Sequence, residues 1–315
     1  MRTALLSIQY LRAFAAFLVV LAHIGWFNSL WGQQGVDIFF IISGFIMAHV
    51  ALREPLPSAF LWARFQRVAP LYWVATIAWF FIHPTHDLRH VMMSLAFIPH
   101  LGPAHMIWPL IEQGWTLLYE VAFYGIFAVA LLLPNHARLS FTTIVLTSLV
   151  ALGWVARSDS ALAQVYLSPL LVEFLAGLWL HRAWQGGWLE RPTLGAIAVL
   201  TAAVAFIALR DVNPYGWRFL MWGLPALLLV AGTLALERLL PRLSWMLLLG
   251  DASYAIYLTH RFVLPTLIAE ARPLPTLAAV AVIMTGCAIV GIIVHRLVEK
   301  PIARLSRAVP IAAAA

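Results

Sequence analysis

The chain has 315 residues, of which 63% are hydrophobic and only 10% charged, and its mean hydropathy is +0.90. Soluble domains are roughly half apolar and about a quarter charged, so that class is excluded. A formal charge of +7 raises nucleic acid as a partner, but the basic residues form no single patch and none is expected; the lone Cys287 rules out an internal disulfide and a cysteine-built metal site.

Apolar runs of about 17–25 residues recur along the chain, the pattern of an all-α, polytopic membrane protein. Ten spans are predicted: 6–27, 36–52, 68–82, 115–133, 141–156, 164–181, 193–209, 218–235, 245–269 and 274–296. With a cytoplasmic N-terminus, thirteen Lys and Arg residues, Arg2, Arg53, Arg64 and Arg67 among them, fall in inner segments. Five fall in outer ones: Arg89, Arg157, Arg210, Arg218 and Arg272. That bias places both termini in the cytoplasm.

The first span contains LRAFAAFLVVLAHIG, in which ten residues without a polar side chain separate Arg12 from His23. Its small residues precede the apolar stretch rather than follow it, so a retained helix is expected, not a cleaved leader. Eleven helical steps bring Arg12 and His23 to within about 20° of one face, about 16 Å apart along the axis. Ionisable groups inside a span are costly and mark function by default. One stripe therefore offers an anion-binding group at one depth and a potential base at another. Snorkelling of Arg12 and a packing role for a neutral His23 stay open on this ground alone.

Span 2 begins near Asp37, in GVDIFFIISGFIM, and span 4 carries Glu120, in WTLLYEVAFY. Span 9 carries His260, at the end of SYAIYLTH. Asp37, Glu120, His23 and His260 are expected to form one cluster in the outer half, where a carboxylate fixes the tautomer of a basic imidazole. For Asp37 and Asp251 a helix N-terminal cap is the alternative. Just before span 3, Arg64 and Arg67 stand three apart on one face, suited to a phosphate or pyrophosphate; positive-inside topology alone also explains such a pair. The region 83–114 reads as an outer loop. Its His83, His86, His90, His100 and His105 lack a completing ligand set, and no metal is expected.

Taken together, these motifs resemble the membrane acyltransferase-3 family, most closely bacterial exopolysaccharide O-acetyltransferases. The resemblance rests on the Arg12–His23 spacing, GVDIFFIISGFIM, Arg64-x-x-Arg67, WTLLYEVAFY, SYAIYLTH and EKPIARL at 299–305, in the family's order. Thr116 and Ala255 stand where serine is usual. The resemblance implies a transmembrane acyltransferase domain over 1–309 in the bacterial inner membrane, and the Ala-rich composition of the tail at 310–315 predicts disorder there. The resemblance also implies transfer of an acyl group, acetyl above all, from cytoplasmic acetyl-CoA or another acyl-CoA to a hydroxyl of a glycan or lipid-linked saccharide. By the same analogy His23 is the base, Glu120 orients it, and Arg12, Arg64 and Arg67 serve the donor. Asp37, Ser43, Trp115, Tyr254 and His260 support the site. Membrane lipids are the remaining partners, and the oligomeric state is left open. A transporter or flippase for a glycan or lipid intermediate is the competing reading, and a non-catalytic export partner a third.

Overall fold

The computed structural model describes residues 5–26, 30–51, 56–85, 87–102, 105–214 and 216–308. Arg2, Arg53, His86 and the tail 310–315 lie outside the described residues. Of the described residues 79% are helical and none lies in a strand. The helices are α1 (Leu6–Ala22), α2 (Gln34–Ala51), α3 (Pro57–Ile82), α4 (Leu88–Leu95), α5 (Trp115–Ala130), α6 (Asn135–Ala156) and α7 (Ala161–Tyr166). They continue as α8 (Leu171–Gln185), α9 (Pro192–Ala208), α10 (Leu224–Ala235), α11 (Ser244–Ala271), α12 (Thr276–Val294) and α13 (Lys300–Ala308).

Among the described residues, five helical stretches are long and apolar enough to cross a membrane: Gln34–Ala51, Pro57–Ile82, Asn135–Ala156, Ala161–Gln185 and Thr276–Leu305. Leu6–Ala22, Pro192–Ala208 and Phe219–Ala235 are apolar but shorter. The 28-residue α11 has ample length and is not among the five, because Asp251, Arg261 and Glu270 dilute its apolar character.

Three boundaries differ from expectation, each for a local reason. Helix α1 ends at Ala22, and His23 (φ −99°, ψ −2°) caps it rather than lying inside it; Gly25 then turns the chain at φ +77°. Helix α3 starts at Pro57, a residue whose fixed φ suits a first helical position. Arg64 and Arg67 therefore lie within α3, not ahead of it. The span at 164–181 is broken between α7 and α8, where Pro169 falls.

Burial ranks the helices by depth in the bundle. Twelve residues of α2 are buried, against two each in α6 and α9. The outer helices present large apolar side chains such as Val155 and Leu277, more than 80% exposed, a surface that water does not favour and lipid does. At the centre, α2 meets α8 almost backbone to backbone. A Cβ at Gly44 would lie 2.0 Å from the Phe174 carbonyl oxygen, and one at Gly177 2.1 Å from that of Ile41. Close approach of this kind is how small residues let apolar helices gain packing where the hydrophobic drive is weak. Stacked Phe40, Phe174 and Phe123 fill the adjoining core, with ring centroids 4.6 and 4.7 Å apart. Helices α1, α2, α3, α5 and α11 are left enclosing the polar interior.

Candidate active site

Two cavities meet inside this ring of helices. A vestibule of about 540 Å³ is lined by Arg12, Arg64, Arg67, Gln66, Glu299 and Ile302. A chamber of about 100 Å³ lies beyond it, lined by Arg12, Arg64, Arg67, Ser43, Glu120, Tyr124, Ser253, Tyr254 and Tyr257 among others. Arg12, Arg64 and Arg67 line both and so stand at their junction.

Arg12 and Arg64 are each only 9% exposed. Among the described residues, no carboxylate lies within ion-pairing distance of Arg12, Arg64 or Arg67. Arg64 Nε is wholly buried without a hydrogen-bond partner, and its guanidinium lies 6.0 Å from the Phe60 ring centroid. Three converging guanidiniums without a paired carboxylate are costly in an apolar interior. They form an arrangement that an anionic group with several oxygens satisfies.

Within the chamber, Ser43 Oγ donates to Glu120 Oε1 at 2.9 Å, and the Tyr124 hydroxyl donates to the same oxygen. Tyr254 donates to the Val68 carbonyl at 2.7 Å and ties α11 to α3. Tyr257 donates to the Gln113 carbonyl at 2.6 Å and lies 2.8 Å from Thr116 Oγ1. Trp115 opens α5 and packs edge-on against Phe40 and Tyr119.

The imidazole of His23 belongs to a second locus. Its Nδ1 is 2.8 Å from the Val19 carbonyl. A carbonyl only accepts, so Nδ1 carries the hydrogen and the lone pair is on Nε2, the atom a general base uses. The His260 ring lies 4.9 Å away, centroid to centroid. It is fully buried, with Nδ1 2.7 Å from the Tyr257 carbonyl and Nε2 unpartnered. The next residue, Arg261, is paired with Glu112 at the start of the short turn Glu112–Gly114.

The expected single cluster is therefore corrected to three loci. His23 and His260 do come together. The Glu120 carboxylate is bound by Ser43 and Tyr124 in the chamber rather than by His23, and the tautomer of His23 is set by the carbonyl of its own helix. Asp37 is also elsewhere, fully buried and held by Arg218 through two hydrogen bonds of 3.0 and 2.9 Å. Arg218 lies over Trp222 at 4.8 Å, and the fully buried Glu173 adjoins the pair. Neither aspartate is a cap. Asp37 is committed to Arg218, and Asp251 lies inside α11, accepting from Gln9 Nε2 at 3.1 Å.

Sequence reasoning passed over Glu173, Tyr124, Ser253 and the Arg261–Glu112 pair. The rule that flagged Glu120, an ionisable residue inside an apolar run, also picks out Glu173 in LVEFLAG. Between α3 and α5, His90 Nδ1 is 2.7 Å from His100 Nε2, and His100 Nδ1 is 2.7 Å from the Ile98 carbonyl. Among the described residues no group of three or more His, Cys, Asp or Glu side chains is placed to hold a metal ion.

Comparison with known proteins adds an independent line. Residues 5–296 match the acyltransferase-3 family model, described as an acyltransferase domain. The chain is 36% identical over 292 residues to the exopolysaccharide production protein ExoZ of Rhizobium meliloti (strain 1021), covering 88% of this chain and 91% of that protein. It is 30% identical over 286 residues to the candidate membrane-bound transacylase BcsY of Komagataeibacter xylinus, covering 81% of this chain and 71% of that one. A shorter match, 26% over 140 residues, is to the peptidoglycan O-acetyltransferase OatA of Listeria monocytogenes, covering 41% of this chain and 21% of OatA. No solved structure gives a significant match.

Proposed function

The chain belongs to the acyltransferase-3 family and is an acyltransferase, and on that footing we propose that it moves an acetyl group from cytoplasmic acetyl-CoA to a hydroxyl of an exopolysaccharide or its lipid-linked precursor. The enzyme sits in the inner membrane with ten spans and both termini in the cytoplasm. The observation that carries the reading is the set of three guanidiniums at the junction of vestibule and chamber. Guanidiniums in such a set suit the phosphates of a coenzyme A nucleotide. From there a pantetheine arm extends toward His23, and the axial separation of Arg12 and His23, about 16 Å, is comparable to its reach. The acyl group thus crosses most of the membrane while the nucleotide stays on the cytoplasmic side.

In the chemical step, His23 Nε2 removes the acceptor hydroxyl proton as the oxygen attacks the thioester carbonyl. The carbon–sulfur bond then breaks, and the departing thiolate takes the proton back from His23. His260 packs on the His23 ring and limits its orientation. Glu120 belongs to the donor side, where Ser43 and Tyr124 hold it at the chamber wall. The similarity to the exopolysaccharide production protein ExoZ and to the O-acetyltransferase OatA motivates the polysaccharide acceptor and the acetyl group, respectively.

The test uses purified protein in nanodiscs with radiolabelled acetyl-CoA. The wild type is expected to bind donor, Arg64→Ala/Arg67→Ala to lose binding, and His23→Ala to bind but not transfer. Absence of specific binding in folded wild type overturns the reading in favour of a glycan flippase, which has no use for an acyl donor.

A further inference from the structure

One carboxylate is out of place in the vestibule. Glu299 lines the same cavity as Arg12, Arg64 and Arg67, near enough for its charge to act on Arg12. A carboxylate facing three guanidiniums is drawn to form a charge-assisted pair with one of them. Glu299 lies beyond 4.0 Å from all three, and its Oε2 is instead 2.7 Å from His295 Nδ1. His295 and Glu299 are the first and last residues of a π-helical turn between α12 and α13. Such turns are rare and frequently mark functional positions. The His295 ring is buried, with Nε2 enclosed and unpartnered, so Glu299 is the one side chain this imidazole holds among the described residues.

We propose that His295 is a positioning residue that holds the Glu299 carboxylate away from the vestibule arginines, keeping their guanidiniums available to the phosphates of the donor. Without the clamp, Glu299 swings onto the arginines and competes with the donor as an internal anion. The inference rests on the donor-site reading above, but concerns a residue pair that reading does not use. It makes a prediction of unusual sign: damage done by removing the histidine is undone by also removing the charge of the glutamate.

The experiment measures coenzyme A binding by calorimetry in nanodiscs for full-length wild type, His295→Phe, Glu299→Gln and the double variant. Phenylalanine keeps the ring and loses the N–H. His295→Phe is expected to weaken binding about fivefold, which is ~1 kcal/mol at 1.4 kcal/mol per decade. Glu299→Gln is expected to bind at least as tightly as wild type, and the double variant to match Glu299→Gln. Unchanged binding in His295→Phe overturns the clamp, as does a double variant as weak as His295→Phe, the signature of a merely structural histidine. Should His295→Phe not fold, Glu299→Gln decides alone, because weakened binding there makes the carboxylate a direct ligand contact and sinks the proposal. Wild type that binds no coenzyme A overturns the donor-site reading itself, whereas binding without the rescue overturns only the clamp.

Discussion

Replacing Arg64 with methionine separates a binding arginine from a structural one. The side chain is 9% exposed, its Nε is buried without a partner, and no carboxylate pairs with it among the described residues. Breaking a buried ion pair typically costs about 3–5 kcal/mol, because the surviving charge is left stranded. Arg64→Met strands nothing and removes one of three like charges at the cavity junction, so thermal stability is expected to hold or rise. Donor binding moves the other way. A hydrogen bond to a charged group is worth about 1.5–3 kcal/mol, or roughly 10–150-fold in affinity at 1.4 kcal/mol per decade. The assay pairs coenzyme A titration with a melting curve on the same nanodisc preparation. Arg64→Lys, which keeps the charge but not the planar fork, is expected to fall between wild type and methionine. A melting temperature lowered by several degrees with donor affinity intact refutes the reasoning and makes Arg64 a structural residue.

Three further outcomes follow from the geometry. Glu120→Gln keeps an oxygen able to accept from Ser43 and Tyr124; it is expected to alter donor KM while leaving the pH–rate profile in place, and a displaced acid limb in initial-rate measurements would tie Glu120 to His23 after all. Gly177→Ala places a methyl 2.1 Å from the Ile41 carbonyl oxygen and is expected to cost ~2 kcal/mol in an unfolding titration, whereas Gly125→Ala, with no atom within 4 Å of the added carbon, is the neutral control. Between α3 and α5, burial first and His100 second hold the His90 pKa below its ordinary 6.5, against the opposing charge of Asp87. Folding there favours the neutral ring, so the contribution is complete above pH 6.5 and lost as pH falls toward the folded value; protease protection of 87–102 should drop on acidification, and His90→Asn should flatten that dependence.

The parts of the site that could be read from the sequence were those whose signal is local. Arg64 and Arg67, three helical steps apart, line the same cavities as that spacing requires, whereas the helix expected to carry His23 stops one residue short of it. Which partner each side chain takes is not a local property. Asp37 and Glu120 were both expected in one cluster as carboxylates of apolar spans, although Asp37 also had the reading of a helix cap. One is bound by Arg218, some 180 residues away in the chain, and the other by Ser43 and Tyr124. Hydropathy gives the apolar spans and weakens at the candidate site: α11 supplies Ser253, Tyr254, Tyr257 and His260, and those polar positions, with its charged residues, keep it out of the set of apolar spans. Boundaries failed at Ala22 and Pro57 because a cap and a proline, not hydrophobicity, decide where a helix stops or starts.

The separation of Glu120 from His23 changes what a base at this position requires. A base flanked by a carboxylate holds its proton in an ion pair, and the pair must be rearranged before the proton can be passed on. His23 is set instead by the last turn of its own helix and by a second imidazole. In the proposed reaction the proton has to travel from a hydroxyl to a thiolate within one turnover, so a weakly held proton favours the second half of the step. The carboxylate is kept where positive charge is concentrated, among Arg12, Arg64 and Arg67 at the chamber wall. In the proposed arrangement unpaired positive charge gathers at the donor end, while beside His23 the charges of Arg261 and Glu112 compensate each other. An uncharged sugar hydroxyl enters the His23 end at less cost than an ion does, since only its hydrogen bonds need replacing.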